Sequence, residues 1–366
     1  MLSTKSPFTT CLSLIFIFPI IATAQPDFAK VEKPRAWSFP RDHGKHAEYQ
    51  VEWWYFTGNL QAANGRRFGY ELTFFRQAFA PTILSRTSQW AFREAYMAHF
   101  AITDINNKTF RYEQKSARGT LNLAGADSAS LSVHLGGWYA RQKNFEMVGK
   151  NQIQLRAASD FGQIELNLAP AKPPVFHGDR GLLPNSKIPG DAAYYYSLTS
   201  LKTTGYLTVA GKSLEVRGLS WMDHEFFTPH LASAGIGWNW LSLHLSDSTE
   251  VMLAFLRRAG GFEAMDLSGT FIDQQGFTRH LTKSDFVLTP TSWWISPKSG
   301  GKYPMAWNVK YLEYDLRLTT PVEDQEFDAR RSTGNIYWEG YVEAVGKKGD
   351  RAIRGKGYLE MTGYTQ

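Results

Sequence analysis

The stretch LSWMDHEFF contains three adjacent titratable residues, Asp223, His224 and Glu225. On a β-strand, Asp223 and Glu225 would share one face with Trp221, while His224 would share the opposite face with Phe226. Carboxyl and imidazole groups held in an apolar wall are suited to acid–base catalysis. We therefore predict a catalytic role for the three titratable residues and a ligand-binding role for Trp221 and Phe226. A solvated turn is the alternative interpretation, which the aromatic neighbours disfavour.

A further catalytic candidate, Glu52, begins the run EWWYFTGNL. On a strand, Glu52 and Trp54 would share one face, and Trp53 and Tyr55 the other. Both faces are largely aromatic, so we predict core packing on one face and the wall of a hydrophobic pocket on the other. Desolvation beside Trp54 is expected to raise the pKa of Glu52. The alternative, in which Glu52 forms a structural ion pair with an arginine, stays open.

Five further residues complete the predicted ligand-binding set: Trp53, Trp54, Tyr55, Trp238 and His99. The alternation in MAHFAITD would point His99 into a barrel, although a hydrogen-bonded core histidine is the favoured interpretation. The aromatic side chains would supply apolar area with a polar handle on each tyrosine and tryptophan.

Metal and cofactor motifs do not stand out. The spacing H-E-x-x-H is absent, and His43 and His46 have no clear third ligand in the sequence. Neither a G-x-S-x-G elbow nor a glycine-rich phosphate loop is present. We therefore predict no metal and no cofactor. His177 lies in the proline- and glycine-rich segment 169–190, which we interpret as a long irregular loop. A surface position is the favoured interpretation for this histidine, and the alternative is that it covers a pocket.

The elements that must position these residues are β-strands. Apolar and polar residues alternate in QIELNL, in YLEYDLRL and in several other runs, which turn residues separate. The fold class is therefore predicted as all-β. Closed barrels leave no exposed strand edges, and the length favours two packed antiparallel β-barrels. A weak repeat supports two barrels, because LTFFR ends in Arg76 and LAFLR ends in Arg257.

The first 24 residues have the pattern of a secretory signal peptide. Lys5 precedes an apolar run that ends in Ala-Thr-Ala before Gln25. Cleavage after Ala24 would remove the only cysteine and exclude disulfides and thiolate chemistry. An uncleaved anchor is the alternative. We predict a secreted or periplasmic protein whose domains are the signal peptide (1–24), an N-terminal segment (25–47), and barrels at 48–226 and 227–366.

Charge and composition limit the kind of partner. The formal net charge is +6, and the basic residues are scattered rather than gathered in a stripe, so no nucleic-acid partner is predicted. Aromatic residues make up 14% of the chain, which favours packed β cores and apolar pockets. The predicted partner is a hydrophobic small molecule. Loose association with a membrane stays open, and the sequence does not predict an oligomeric state.

Several motifs resemble the AttH/CrtC-type family of lipocalin-like proteins, which includes predicted secreted hydrolases and carotenoid 1,2-hydratases. They are EWWYFTGNL, MAHFAITD, YYYSLTSL, GLSWMDHEF, GWNWLSLHL, YWEGYVEAVG and GYLEMTGY. The resemblance implies two lipocalin-like barrels. It also implies a hydratase site in which an aspartic acid protonates a C=C bond, and Asp223, His224 and Phe226 match the D-H-x-aromatic piece. The hydratases carry Tyr and Asp on the following strand, where this chain has Ala254 and Leu256. A general family member is therefore expected rather than a carotenoid hydratase.

Two functions follow from these observations. In the first, Asp223 or Glu225 acts as acid or base on a hydrophobic substrate, with His224 orienting the carboxyl group and tryptophans such as Trp54 and Trp238 forming the wall. The reaction would be a hydration or a hydrolysis. In the second, the same walls bind a hydrophobic ligand without catalysis. Carbohydrate binding is disfavoured, because the aromatic residues alternate within strands and should be largely buried.

Overall fold

The computed structural model describes residues 27–80, 88, 90–145, 150–184, 189–229, 236–258, 260–261 and 264–365. The predicted signal peptide, residues 1–24, lies outside these ranges. Within them the secondary structure is almost entirely antiparallel β-strand, with one 3-10 turn at Arg41–His43. None of the described residues belongs to a helix long and apolar enough to span a membrane. The all-β prediction is confirmed.

The strands form two sheets. The first sheet contains β1 (Val51–Ala62), β2 (Arg67–Ala78), β3 (Glu94–Asp104), β4 (Thr109–Arg118), β5 (Ala124–Ala126), β6 (Ser132–Leu135), β7 (Trp138–Phe145), β8 (Lys150–Ala158), β9 (Gly162–Pro170), β10 (Val175–Phe176), β11 (Leu182–Pro184), β12 (Ala192–Val209) and β13 (Lys212–Phe227). The second contains β14 (Ile236–Leu245), β15 (Glu250–Arg258), β16 (Ala264–Ile272), β17 (Thr278–Thr282), β18 (Phe286–Ile295), β19 (Lys302–Tyr311), β20 (Tyr314–Thr319), β21 (Glu326–Asp328), β22 (Ile336–Lys348) and β23 (Arg351–Thr362).

Each sheet is curled around its own hydrophobic core. In the first sheet the main path runs β4-β3-β2-β1-β13-β12-β9-β8-β7-β6-β5, and β5 and β6 contact β3 and β4 across the curl. Its interior is filled by large side chains, among them Trp54, Phe56, Tyr70, Phe74 and Trp138. Lumens packed in this way are typical of small barrels. The predicted pair of lipocalin-like barrels is therefore confirmed as two barrel-like sheets with filled interiors.

The second sheet repeats the arrangement with fewer strands. Its main path runs β17-β16-β15-β14-β23-β22-β20-β19-β18. Leu253, Phe255, Trp307, Leu316 and Trp338 lie in its core. The two sheets divide the described strands between Phe227 and Ile236, while the predicted domain bounds at 226 and 227 stay a prediction.

The predicted sequence repeat has a structural counterpart. Arg76 on β2 and Arg257 on β15 are both fully buried, and each bonds a side chain of the preceding strand. Nε of Arg76 donates to Glu52 at 3.0 Å, and Nε of Arg257 donates to Asn239 at 3.1 Å. The repeated Leu-x-x-x-Arg pattern thus places a guanidinium group at equivalent positions of the two barrels.

The outer faces of β1 and β13 pack against the second sheet. The contact forms a third cluster in which Tyr55, Tyr195 and Trp221 of the first sheet meet Trp240 and Tyr358 of the second. Since successive side chains of a strand point to opposite faces, even positions of β1 and β13 fill the first barrel and odd positions face the second sheet. This inter-sheet layer contains the titratable groups described next.

Candidate active site between the two sheets

The three adjacent titratable residues are divided by strand alternation, as predicted. Asp223 and Glu225 face the second sheet, whereas His224 lies inside the first barrel with Trp54 stacked on its ring at 5.0 Å. The register of β13 against β1 sets Asp223 opposite Tyr55. The ring of His224 bonds to other partners inside the barrel, so the prediction that His224 orients Asp223 or Glu225 is wrong.

Five carboxyl groups line the inter-sheet layer. They are Glu71 on β2, Asp223 and Glu225 on β13, Glu339 on β22 and Glu360 on β23. Three of the five are buried, whereas Glu225 and Glu360 keep part of their surface exposed. These two residues are therefore the least buried of the five.

The environment raises the pKa values of Asp223, Glu225 and Glu360 into the neutral range. Burial raises the pKa of Asp223 to about 7. Burial, and then the charges of Asp223 and Glu360, raise the pKa of Glu225 to about 8. Burial and the charge of Asp223 raise the pKa of Glu360 to about 7. Over the described chain, the causes of these three shifts include no lysine, arginine or histidine, so no cation favours ionisation.

Glu339 and Glu71 extend the acidic layer away from Asp223. The Tyr55 hydroxyl donates to Oε1 of Glu339 at 2.7 Å, while the buried Oε2 of Glu339 has no hydrogen-bond partner among the described residues. Burial and neighbouring carboxylates raise the pKa of Glu339 well above its usual range. Glu71 accepts a bond from Tyr337 at 3.1 Å, and burial raises its pKa to about 8. Both carboxyl groups are therefore protonated at neutral pH.

Asp223 is the most firmly held of the five. The indole Nε1 of Trp221 donates to its Oδ1 at 2.6 Å, and the hydroxyl of Ser197 donates to the same oxygen. Tyr195 adds a third hydrogen bond and in turn accepts one from Nε1 of Trp240 at 2.9 Å. The carboxyl group is thus fixed by residues of both sheets.

Aromatic side chains surround the partly exposed acids. Trp53 is half-buried, with its ring 6.4 Å from Phe75 and 5.3 Å from Phe227. Trp238 is 36% exposed, and its indole hydrogen-bonds Glu360. Such faces attract cations and bind apolar molecules. The predicted wall residues Trp53 and Trp238 therefore lie beside these half-buried acids.

Of the other predicted ligand-binding residues, three lie in the inter-sheet layer and two do not. Tyr55 and Trp221 are in the layer, and so is His99, which bonds Tyr337 at 2.7 Å and Ser332 at 2.8 Å. Burial lowers the pKa of His99 to about 3, so it is a neutral, hydrogen-bonded histidine outside the lumen. Trp54 packs inside the first barrel instead, whereas Phe226 lies in a separate cluster with Val31, Tyr49 and Tyr194 and stacks on His46.

Glu52 belongs to a separate network inside the first barrel. Its carboxylate accepts bonds from Arg76 at 3.0 Å, from His224 Nε2 at 2.9 Å, and from the backbone and ring nitrogens of His46. The expectation that burial raises the pKa of Glu52 is wrong. Burial acts in that direction, but the bonds from His224, His46 and Arg76 outweigh it and lower the pKa. The alternative of a structural ion pair with an arginine is confirmed.

Ligand atoms of His46, Glu52 and His224 lie within 4.8 Å of one another, a set that could hold a metal by composition. The geometry argues against it, because both oxygens of Glu52 already accept hydrogen bonds and the Arg76 guanidinium lies beside them. A dication would add charge next to a buried cation without a free carboxylate lone pair. We interpret the set as a satisfied hydrogen-bond network.

A polar depression elsewhere on the first sheet has a volume of about 390 Å³ and is lined by residues including Asn122, Asp127 and His134. It contains none of the five inter-sheet carboxyl groups. Since its lining lacks large aromatic residues, it does not resemble a site for a hydrophobic molecule.

Comparison with known proteins places this geometry in a family. The family model described as AttH-like matches residues 30–364. This chain belongs to the AttH-like family. A Nitrosomonas europaea protein assigned as an AttH has a crystal structure similar to this AttH-like chain, with 29% identity and a TM-score of 0.81 over 92% of this chain and 100% of that one. The resemblance stated from the sequence motifs is therefore confirmed.

Two more distant structures share the fold. Kievitone hydratase from Nectria haematococca is 16% identical, with a TM-score of 0.67 over 92% of this chain and 97% of that one. CghA, solved with Sch210972, is 12% identical, with a TM-score of 0.53 over 87% of this chain and 89% of that one. No curated protein matches the sequence. At these identities the two structures show the fold of this AttH-like protein and not its substrate.

The structure brings several residues to the site that sequence reasoning missed: Glu71, Glu339, Glu360, Tyr195 and His177. Three of them are acids on strands with apolar residues on both faces, as in YWEGY around Glu339, which is the signal that identified Asp223. His177 had no such signal. It is fully buried between the sheets, so its predicted surface position is wrong.

Proposed function

We propose that this AttH-like protein is an enzyme that adds water to a hydrophobic small molecule through acid catalysis between the two sheets. The observation that supports it is the pair of half-buried glutamates, Glu225 and Glu360, whose pKa values are raised to about 8 and about 7 beside the half-buried Trp53 and the exposed Trp238. A general acid is most effective when its pKa lies near the operating pH.

The reaction follows from these groups. The protonated carboxyl of Glu225 gives its proton to one carbon of a C=C bond, and the neighbouring carbon becomes a cation that the rings of Trp53 and Trp238 stabilise. Water attacks the cation and forms the C–O bond. Its released proton returns to the Glu225 carboxylate, which restores the acid, so atoms and charges balance. Acid-assisted hydrolysis of a labile bond would use the same groups.

Two of the structural neighbours agree with a small-molecule substrate. One neighbour is named a hydratase, and another was solved with the compound Sch210972. Localisation in the periplasm or outside the cell is also part of the proposal, and it rests on the signal-peptide pattern of residues 1–24. The substrate class proposed is an isoprenoid, lipid or polyketide-like molecule, for which the aromatic walls are suited.

Binding of a ligand without catalysis is the second candidate function. Because the barrel interiors are filled, a carried ligand would also lie between the sheets. In a carrier, the five acids would only bind the ligand or stabilise the fold. The two candidates differ in what happens when a carboxyl is replaced by its amide.

The test begins with mass spectrometry of solvent extracts of the purified protein and of a mock purification, which identifies a bound hydrophobic compound. That compound and its dehydrated analogue are then incubated with the protein in heavy-oxygen water. Hydration predicts a product with one labelled oxygen. We expect Glu225→Gln to lower turnover by at least about a hundredfold, the usual share of a general acid.

The matched control is Glu215→Gln, an exposed glutamate on the same strand, which should leave turnover unchanged. Equal turnover of Glu225→Gln and the wild type would overturn the acid role. Ligand binding without any labelled product in the wild type would favour the carrier.

A further inference from the structure

A line of hydrogen bonds crosses the inter-sheet layer and ends at Asp223. It begins at Thr270 on β16 of the second sheet, whose hydroxyl lies 2.8 Å from Nδ1 of His177. Nε2 of His177 lies 2.7 Å from the hydroxyl of Ser197 on β12. Ser197 in turn contacts Oδ1 of Asp223. All four side chains are buried, so solvent does not compete for these bonds.

The direction of each bond follows from the donors available. The indole of Trp221 can only donate, and it bonds Oδ1 of Asp223 at 2.6 Å, so this oxygen is an acceptor. Ser197 gives its single hydroxyl proton to the same oxygen and must therefore accept from Nε2–H of His177. Burial, and then the nearby His280, lower the pKa of His177 to about 3. The ring is thus neutral, and its Nδ1 accepts from Thr270.

We propose that His177 is a positioning residue for Asp223, because it fixes the Ser197 hydroxyl so that every donor between Thr270 and Asp223 points towards the carboxyl group. Oδ1 is then held as an acceptor, and the acid proton of Asp223 is confined to Oδ2. The line of hydrogen bonds also makes the protonation of Asp223 in the first sheet depend on the Thr270 hydroxyl of the second sheet. The inference rests on the proposed function only in that the charge of Asp223 acts on the proposed acid Glu225.

Other titratable groups face Asp223 and must be held constant in any test. They lie on the adjacent strands and on the opposing sheet: Tyr55 on β1, Tyr195 on β12, Glu225 on β13, Glu339 on β22 and Glu360 on β23. None of them bonds His177 through its ring nitrogens, whose partners are Thr270 and Ser197. The ring of Tyr195 packs against that of His177 with centroids 4.2 Å apart, so Thr270→Val is the variant that leaves all of these groups in place.

The test is an infrared titration of the full-length protein, without substrate. The carbonyl band of protonated Asp223 is identified by its loss in Asp223→Asn, and its midpoint is followed against pH. Hydrogen bonds to the charged form of an acid lower its pKa. Removing the line of hydrogen bonds should therefore raise the titration midpoint of Asp223. We expect a rise of about one pH unit in His177→Leu. His177→Gln, which keeps a donor near the Nε2 position, should restore most of the wild-type value.

A double-mutant comparison distinguishes loss of the line of hydrogen bonds from a general disturbance of the structure. Ser197→Ala should raise the midpoint at least as much as His177→Leu, and adding His177→Leu to Ser197→Ala should change it no further. His99→Leu is the matched control, because His99 is also buried between the sheets but bonds Tyr337 and Ser332. It should leave the Asp223 midpoint unchanged.

Thr270→Val keeps the imidazole of His177 and replaces His177→Leu in the test if that variant does not fold. We expect it to raise the titration midpoint of Asp223 by less than His177→Leu does. A wild-type midpoint in folded His177→Leu, or in Thr270→Val when the first variant fails to fold, overturns the proposal. Because the readout is the titration of Asp223, the outcome does not depend on turnover. Loss of the proposed hydratase function and loss of the positioning role are therefore separate results.

Discussion

At the scale of single residues, two glutamates on adjacent strands show how surroundings set a carboxyl pKa. Glu52 and Glu225 have the same side chain, and both lie next to tryptophans. Glu52 is bonded by Arg76 and two histidines and stays ionised, whereas Glu225 faces other carboxyl groups and is held protonated. The difference lies in the partners and not in the burial, because burial acts in the same direction on both.

The Arg76–Glu52 pair gives a prediction at this scale. Arg76→Met should lower the free energy of unfolding by about 3–5 kcal/mol, because it leaves the buried Glu52 carboxylate without its guanidinium partner. Denaturant unfolding at neutral pH measures the loss. The control is Arg156→Met, whose ion pair with Glu165 is about half exposed and should contribute less than about 1 kcal/mol. Equal losses in the two variants would contradict the role given to Arg76.

At the scale of elements, alternation predicted strand faces correctly but missed one strand end. YLEYDLRL is interpreted as one strand from its alternation, but β19 ends at Tyr311 and β20 begins at Tyr314. Leu312 adopts a positive φ of 48° in the two-residue turn, which the sequence does not announce with glycine or asparagine. Tyr311 and Tyr314 stack with ring centroids 4.8 Å apart, so contacts beyond the turn hold the hairpin.

The packing of β23 on β14 gives a prediction for this scale. A Cβ at Gly357 would overlap the carbonyl oxygen of Ser242 on the neighbouring strand. Gly357→Ala should therefore lower the free energy of unfolding by about 1–3 kcal/mol, as overpacking does. Gly137→Ala is the control, because no heavy atom lies within 4 Å of its added Cβ. A loss in Gly137→Ala as large as that in Gly357→Ala, measured by denaturant unfolding, would contradict the packing argument.

At the scale of the whole molecule, the inter-sheet acids make stability depend on pH. A carboxyl whose pKa is higher in the folded than in the unfolded chain stabilises fully below its unfolded value, near 4. This contribution is lost as pH rises through the folded values of about 7 to 8. Buried neutral histidines such as His43, His99 and His177 act oppositely, but only below their unfolded pKa of about 6.5. Above pH 6.5, the inter-sheet acids and not these histidines therefore determine how the free energy of unfolding changes with pH.

We accordingly expect the free energy of unfolding to fall between pH 6.5 and 8.5. Glu225→Gln should reduce that slope by about 1 kcal/mol per pH unit up to pH 8, because it removes one titrating group. Glu215→Gln, the exposed control on the same strand, should keep the wild-type slope. Denaturant unfolding at several pH values measures it. A stability that stays level across this window would show that the acids are already ionised in the folded protein.

The sequence by itself determined the strand class, the two barrels, the family and the face on which each member of Asp223–His224–Glu225 lies. These properties depend on alternation along one strand, and the side chains of a strand have a period of two residues whatever lies across from them. The match between Arg76 and Arg257 is of the same kind, because it depends only on the position of each arginine along its strand.

Which groups meet across the sheets depends on how the two sheets pack. The tertiary structure placed Glu71, Glu339 and Glu360 near Asp223, gave Glu52 its arginine and moved His177 from an expected surface loop to a buried bond with Ser197. These contacts join residues far apart in the chain, and a pKa depends on the charges and donors within a few ångströms of the group. Local patterns contain no information on those neighbours until the two sheets have packed together.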